Sequence, residues 1–220
     1  LAKFSASMPE GGVTYGTFRP QEDGNQFPKP EIVDRDFQLM KDNNINCVRV
    51  YTVPPVWLLD CALKHGLKVM VGMPWEQHIT FLDDRKRADD IVAQVRQHVR
   101  DLKRHPAILM YAVGNEIPPI IVRWYGHKRI EAFIKRLYQT VKKEDPEGLV
   151  TYVNYPTTEY LQLGFLDVIS FNVYLEKKEV LEAYLARLHN LTDDKPLLMA
   201  EIGLDSQRNG QEKQAAVLDW

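Results

Sequence analysis

The sequence has only two cysteines, Cys47 and Cys61, among its 220 residues. Two cysteines give neither a disulfide framework nor a zinc motif of paired ligands. Because free cysteine is commonly buried, we expect two reduced thiols inside the protein. The six histidines include no His-Glu-x-x-His pair, so the sequence predicts no metal site. We therefore expect a protein that uses no cofactor.

A strong charge of one sign and long apolar runs are also missing. Lys and Arg number 28 and Asp and Glu number 30, a net charge of -2. Without a basic block or a basic-aromatic stripe, no nucleic-acid partner is expected. Every apolar run stops short of the roughly 20 residues that cross a bilayer, so no transmembrane segment is predicted. The chain begins at Leu1 without a signal peptide, so we expect part of a larger polypeptide, with a cytoplasmic location slightly favoured.

Apolar, β-branched runs alternate with amphipathic segments along the whole chain. Continuous apolar runs are typical of parallel strands that are buried on both faces, and apolar residues at helical spacing predict helices. Seven strands are predicted, at residues 13–18, 46–52, 67–73, 108–113, 149–154, 168–173 and 197–201. Seven helices are predicted, at residues 31–43, 55–65, 84–104, 125–144, 158–163, 178–191 and 211–220.

This alternation of strands and helices indicates a parallel sheet covered by helices. An open doubly wound sheet and a closed barrel both fit, but residues 19–25 after the first strand hold a single glycine. They therefore lack the glycine-rich turn of a nucleotide-binding fold. We predict an α/β fold, a (β/α)8 TIM barrel, as one domain over residues 1–220. We expect the eighth strand and helix to lie beyond Trp220; a strand at residues 4–8 is the alternative.

Two glutamates end the two cleanest apolar runs. Glu116 follows the run that starts at Ala107, and Glu201 follows the run that starts at Pro196. Barrel active sites form at the carboxyl ends of the strands, and strands four and seven lie across the mouth from each other. Two carboxyl groups that face each other there suit glycoside cleavage. The alternative is that both glutamates are solvated loop residues.

These residues carry a resemblance to a known family. Residues 113–116 resemble the strand-four Asn-Glu motif of glycoside hydrolase clan A, the retaining TIM-barrel hydrolases. Residues 200–203 resemble the nucleophile segment of that clan. The resemblance implies that Glu116 is the acid/base and Glu201 is the nucleophile. It also implies that Asn115 binds the 2-hydroxyl group of the sugar.

Two further segments match the same clan. Residues 46–51 resemble the strand-two segment whose arginine lies near the nucleophile, which implies that role for Arg49. An arginine inside an apolar strand also indicates a buried partner. Residues 170–174 resemble the strand-six segment whose tyrosine hydrogen-bonds the nucleophile, which implies that role for Tyr174. From its own position alone, Tyr174 would be a core aromatic residue.

The segment after the third strand contains Trp75 and His78. Trp75 could stack on a sugar ring, and His78 could contact sugar hydroxyl groups. Packing of this loop on the rim of the barrel is an equally good interpretation of both residues.

Within the clan, the resemblance favours family 2, with its β-galactosidase and β-glucuronidase relatives, and β-glucanase-like barrels. Residues 15–28 also resemble bacterial barrels that are fused to membrane-bound family 2 glycosyltransferases. We therefore expect a retaining glycoside hydrolase that cleaves a carbohydrate, a β-linked glucan or oligosaccharide. A transglycosylase that uses the same residues stays an alternative. So does a non-catalytic carbohydrate-binding barrel attached to a glycosyltransferase.

Overall fold

The computed structural model describes residues 11–21, 24–192 and 194–220. All seven predicted strands are present in it. They are β1 Gly12–Thr14, β2 Cys47–Val50, β3 Lys68–Gly72, β4 Ile108–Asn115, β5 Leu149–Asn154, β6 Ile169–Val173 and β7 Leu197–Ile202. The helices are α1 Pro30–Asp42, α2 Val56–Lys64, α3 Arg85–Leu102, α4 Pro119–Tyr125, α5 His127–Glu144, α6 Lys178–Leu191, α7 Ser206–Asn209 and α8 Gln211–Val217.

The strands form one parallel sheet in chain order, which curls into a nearly closed TIM barrel. Leu198 and Ala200 of β7 pack on the interior cluster that contains Met70 and Met110 of β3 and β4. Contacts across the interior of this kind require a curled sheet. Among the described residues, no strand pairs β7 with β1. The alternative strand at residues 4–8 lies outside the described residues.

Alternation along the strands decides which side chains point into the barrel. Val48 and Val50 of β2 are fully buried in the layer between the sheet and the helices. Arg49 lies between them in sequence, so it points to the opposite face of the sheet. That face is the barrel interior, and Arg49 is buried there. The strand thus carries a charge into the centre of the barrel while its neighbours build the outer core.

One predicted helix is wrong. Residues 158–163 form no α-helix; a short 3-10 turn, Pro156–Thr158, stands in its place. The side chain of Asn154 accepts hydrogen bonds from the backbone of Tyr155 at 2.9 Å and from the hydroxyl of Thr158 at 2.6 Å. Asparagine side chains that bond nearby backbone groups in this way compete with helix formation. The connection between β5 and β6 is therefore a loop.

The region after β4 also differs from the prediction. Helix α4 was not expected, and the long helix predicted from residue 125 begins at His127. Gly126 separates α4 from α5 with a φ of 79°, a conformation that glycine adopts without strain. The first strand is shorter than predicted and stops at Thr14. Within the described part of the chain, no helix is both long and apolar enough to cross a membrane.

The two cysteines lie on different parts of the barrel. Both carry free thiols and are partly buried rather than fully enclosed. Cys47 packs against the interior cluster, and Cys61 packs against the core under the helices. Burial raises the pKa of each thiol to about 11. Both thiols are therefore protonated near neutral pH.

We expect Gly72→Ala to destabilise the barrel by about 2 kcal/mol or more. A Cβ atom at Gly72 would lie 2.5 Å from the carbonyl oxygen of Tyr51 and 2.6 Å from that of Val50. Both atoms belong to the backbone beside β3, so the sheet itself would have to move. Chemical denaturation of both proteins measures the loss. Gly164→Ala is the control, because a Cβ atom there meets nothing within 4 Å; equal stabilities of the two variants would contradict the prediction.

Candidate active site

Polar side chains from four strands meet at the carboxyl end of the barrel. The strands β2, β4, β6 and β7 each deliver at least one of them to the mouth. This edge is where the loops of a barrel build an active site. The residues that hydrogen-bond one another there are Arg49, Tyr51, Asn115, Glu116, Asn172, Tyr174 and Glu201.

Glu201 is the most heavily bonded residue of this group. Its Oε1 atom accepts hydrogen bonds from Arg49, from the Tyr51 hydroxyl at 2.7 Å and from Asn172 Nδ2 at 2.9 Å. Its Oε2 atom accepts one from the hydroxyl of Tyr174. The Arg49 and Glu201 side chains are only 7% and 14% exposed. The structure thus surrounds one buried carboxylate with four donors.

The donors decide the charge of Glu201. Burial by itself would raise the pKa of this carboxyl group. The hydrogen bonds from Tyr174 and Tyr51, together with the charge of Arg49, outweigh burial and lower the pKa below its ordinary value. Burial and the bond to Glu201 raise the pKa of Tyr51 to about 12. At neutral pH, Glu201 is therefore an anion and Tyr51 remains a donor.

Asn172 bridges the two glutamates. Its Nδ2 atom lies 2.9 Å from Glu116 Oε1 and 2.9 Å from Glu201 Oε1. Since both oxygens contact the same nitrogen, they are at most twice this distance apart, about 5.8 Å. The two carboxyl groups that the sequence placed on separate strands thus face one small space at the mouth of the barrel.

Asn115 is oriented by Arg49. The Nη2 atom of Arg49 donates to Asn115 Oδ1 at 2.7 Å, and Asn172 Nδ2 approaches the same oxygen at 3.2 Å. The amide oxygen of Asn115 is therefore already used. Among the described residues, the Nδ2 group of Asn115 has no acceptor and is available to donate to a ligand. Arg49 also lies over the ring of Tyr51, with its guanidinium carbon 4.6 Å from the ring centroid.

Glu116 has an unusual backbone conformation. Its φ is +51°, in the left-handed region that residues other than glycine rarely adopt. Such conformations persist only where surrounding contacts enforce them, and they concentrate at functional sites. Here the backbone N–H of Glu116 donates to the carbonyl of Val153 on β5 at 2.9 Å. The conformation aims the glutamate towards Asn172.

Among the described residues, neither Trp75 nor His78 makes a hydrogen bond to the carboxyl group of Glu116 or Glu201. The indole nitrogen of Trp75 donates to the carbonyl of Val113 at 2.8 Å, and its ring packs edge-on against Phe81 and Phe133. This placement matches rim packing, and stacking of Trp75 on a sugar ring stays a prediction. His78 is exposed, and within the described residues it makes no hydrogen bond to the group around Glu201.

Two members of the site were missed by the sequence analysis, Asn172 and Tyr51. Both follow the period of two that strands impose. Tyr51 lies two residues after Arg49, and Asn172 lies two residues before Tyr174. Each pair therefore reaches the same side of the sheet. That spacing was a usable signal once Arg49 and Tyr174 had been chosen.

A second cluster of ionisable residues lies on the helices α1 and α2. Asp34, Cys61 and His65 place their possible ligand atoms within 4.8 Å of one another. However, one oxygen of Asp34 already pairs with the ammonium group of Lys64 at 2.6 Å and with His65 Nε2 at 2.8 Å. A cation at this oxygen would meet the positive charge of Lys64. We interpret the cluster as an ion-pair network that joins two helices.

Comparison with known proteins places the chain in a family. Residues 19–217 match the family model described as "Glycosyl hydrolases family 2, TIM barrel domain". The chain belongs to this family. Its resemblance to clan A is thereby confirmed, and it is a glycoside hydrolase domain.

Two relatives of the family 2 domain are β-galactosidases. The chain is 30% identical over 148 residues to the β-galactosidase of Pectobacterium atrosepticum, and the alignment covers 64% of this chain and 13% of that protein. It is 32% identical over 124 residues to the β-galactosidase of Psychromonas ingrahamii, and this alignment covers 53% of the chain and 11% of that protein. These matches span about an eighth of the relatives' lengths.

Solved structures show the same barrel. The β-glucuronidase of Bacteroides uniformis superposes with a TM-score of 0.77 at 21% identity, and the superposition covers 96% of this chain and 28% of that chain. The β-D-glucuronidase of Dictyoglomus thermophilum superposes with a TM-score of 0.72 at 21% identity, and the superposition covers 95% of this chain and 41% of that chain. At these identities the likeness shows the fold.

We expect Arg49→Met to reduce the free energy of unfolding by about 3 kcal/mol at neutral pH, because it leaves a buried carboxylate without its cation. The low pKa of Glu201 contributes stability above the unfolded value of about 4.3, and this contribution is lost as pH falls through the folded value. The variant should therefore approach the wild type on acidification. Denaturation at several pH values measures both effects.

The control for this variant is Arg35→Met. Arg35 pairs with Asp36, but its side chain is 69% exposed, and exposed pairs contribute little to stability. We expect this control to change the stability by less than about 1 kcal/mol. A loss in Arg49→Met that did not depend on pH would contradict the link to Glu201.

Proposed function

We propose that the protein is a retaining glycosidase, with Glu201 as nucleophile and Glu116 as acid/base. The observation that carries this proposal is the bridge through Asn172, which limits the nearest carboxyl oxygens to at most about 5.8 Å. Retaining enzymes place their carboxyl groups about 5–5.5 Å apart, whereas inverting enzymes need about 6.5–9.5 Å to hold a water molecule. The observed separation suits direct attack by one carboxylate.

In the first step, a carboxylate oxygen of Glu201 forms a bond to the anomeric carbon. The bond from that carbon to the leaving oxygen breaks, and the leaving oxygen takes a proton from Glu116. The Oε2 atom of Glu201 carries one hydrogen bond, while Oε1 carries three. Oε2 is therefore the freer atom to attack, while Arg49 holds the other oxygen.

In the second step, the roles reverse. Glu116, now a carboxylate, removes a proton from water, and the water oxygen bonds to the anomeric carbon as Glu201 leaves. The four donors around Glu201 suit both steps, because they stabilise its carboxylate before it attacks and again as it leaves. Each of the two attacks inverts the anomeric carbon, so the overall reaction retains its configuration.

Asn115 completes the proposed sugar site. Arg49 bonds the amide oxygen of Asn115, which leaves the Nδ2 group to donate to a sugar. A hydrogen bond to the sugar 2-hydroxyl strengthens as positive charge develops on the ring, and it then contributes to catalysis. The role of Asn115 as 2-hydroxyl ligand, taken from the clan, is supported by this free donor.

The proposed substrate is a β-linked glycoside, with a β-linked glucan or oligosaccharide as the natural form. We further propose that the barrel acts as one catalytic domain. The curated relatives are named β-galactosidases, which favours aryl β-galactosides as first probes, followed by the corresponding glucosides and glucuronides. Binding of oligosaccharides by the full-length protein without any turnover would contradict the proposal and would favour a carbohydrate-binding barrel.

We expect Glu201→Ala to lower kcat/KM by about 10⁴-fold, because no covalent intermediate can form without the nucleophile. Azide should restore turnover of an aryl β-glycoside and give the α-glycosyl azide, since azide enters from the side that Glu201 occupied. In Glu116→Ala, azide should instead attack the glycosyl-enzyme and give the β-glycosyl azide. The configuration of each product is read by NMR.

The control for both variants is Glu182→Ala. The Glu182 side chain is 61% exposed and belongs to helix α6, so its loss should leave kcat/KM unchanged. Full activity of Glu201→Ala, or the same azide configuration from both glutamate variants, would overturn the assignment of roles.

We expect Tyr51→Phe to move the acidic limb of the kcat/KM profile to higher pH. The change removes a hydrogen bond that lowers the pKa of Glu201, so the nucleophile becomes protonated at a higher pH than in the wild type. At neutral pH, kcat/KM should fall by about tenfold, the effect of one hydrogen bond to a charged group. Tyr160→Phe, at a partly exposed loop residue, is the control. An unmoved acidic limb in Tyr51→Phe would argue against this role.

A further inference from the structure

On the side of β3, strand β4 extends beyond its paired neighbour. The last paired residues of β3 and β4 are Gly72 and Ala112, but β4 continues to Asn115. From that point, two side chains from the loop after β3 hydrogen-bond the backbone of β4. Trp75 Nε1 donates to the carbonyl of Val113 at 2.8 Å, and Gln77 Oε1 accepts from the N–H of Asn115 at 2.9 Å. These side chains replace the missing strand.

The other side of β4 is held in a similar way. The pairing with β5 is irregular between Ala112 and Asn115. Beyond this point, the N–H of Glu116 donates to the carbonyl of Val153, and the N–H of Ile117 donates to the hydroxyl of Tyr152 at 2.8 Å. Three consecutive N–H groups, residues 115–117, are therefore fixed by three different partners.

These contacts surround the left-handed backbone of Glu116. A residue other than glycine is strained in this region, and the conformation persists only where its surroundings enforce it. Rotation of φ to negative values would swing the Cα–Cβ bond and carry the carboxyl group away from Asn172. The bonds on either side of Glu116, to Gln77 and Tyr152, oppose that rotation.

The rings that provide these contacts are themselves rigid. Tyr152 is 1% exposed, and Trp75 packs against Phe81 and Phe133 with ring centroids 4.8 Å and 5.6 Å away. Both rings reach β4 because Gly114 has no side chain. A Cβ atom there would lie 3.1 Å from the ring of Tyr152 and 3.3 Å from that of Trp75.

We propose that Trp75, Gln77 and Tyr152 are positioning residues, which hold the end of β4 so that Glu116 keeps the conformation in which it transfers its proton. This inference rests on the proposed function. None of the three side chains needs to touch the substrate, because each acts through the backbone of β4.

The dependence of the rate on the leaving group separates this role from a general loss of structure. A general acid matters most when the leaving group is basic, and it matters little when the leaving group departs without a proton. We therefore compare kcat/KM for a phenyl β-glycoside and a 2,4-dinitrophenyl β-glycoside of the same sugar, using the full-length protein. The ratio of these two values reports the acid step alone.

In Tyr152→Phe and in Gln77→Leu, we expect kcat/KM for the phenyl substrate to fall about tenfold. For the dinitrophenyl substrate we expect a fall of less than about threefold. Tyr111→Phe is the matched control, since Tyr111 is also a buried tyrosine, and its hydroxyl bonds Asp145 rather than the end of β4. In this control the ratio should equal that of the wild type.

Equal losses on both substrates, or no loss on either, would overturn the inference. If Tyr152→Phe does not fold, Gln77→Leu decides, because Gln77 lies in a partly exposed loop. Glu116→Ala separates this inference from the proposed function. If the loss of kcat/KM in Glu116→Ala is the same for both leaving groups, the acid/base assignment fails. If that loss depends on the leaving group in Glu116→Ala but not in Tyr152→Phe and Gln77→Leu, only the positioning role fails.

Discussion

The candidate site depends on one ion pair, between Arg49 on β2 and Glu201 on β7. The two side chains cross the interior of the barrel and are almost fully buried. A buried pair of this kind contributes little net stability, because desolvation offsets the attraction, but the loss of one partner is severe. Its effect here is on charge: with the tyrosine donors, Arg49 keeps Glu201 ionised although burial opposes it. The site is therefore built around an anion that the barrel stabilises.

The rest of the site is attached to this pair through two asparagines. Arg49 orients Asn115, and Asn172 links Glu201 to Glu116. A change at Asn172 would therefore affect both carboxyl groups directly. The barrel wall also supports the second carboxyl group, since the loop after β3 and the end of β5 hold the strained backbone around Glu116. Residues of β2 and β6 keep Glu201 ionised, whereas residues of β5 and of the loop after β3 orient Glu116.

Much of the fold could be predicted because it is encoded locally. The strands appear in the sequence as apolar runs, and α6 was predicted with its observed ends. The helix predicted at residues 158–163 failed because Asn154 bonds the turn that follows it, a competition that helical periodicity does not show. The end of β4 was predicted two residues too early, because its last residue, Asn115, pairs with Val153 of β5 after an irregularity in the ladder, and an apolar run does not show such a pairing.

Local patterns in the sequence were enough to recognise the family and to locate the strands. The position of Arg49 inside an apolar strand indicated a buried partner, and the two apolar runs ended at Glu116 and Glu201. Which side chains meet became visible in the folded barrel alone. The bridge through Asn172 and the placement of Trp75 in the barrel wall both depend on how strongly the sheet curls. That curvature arises from packing between strands distant in sequence, so no local pattern contains it.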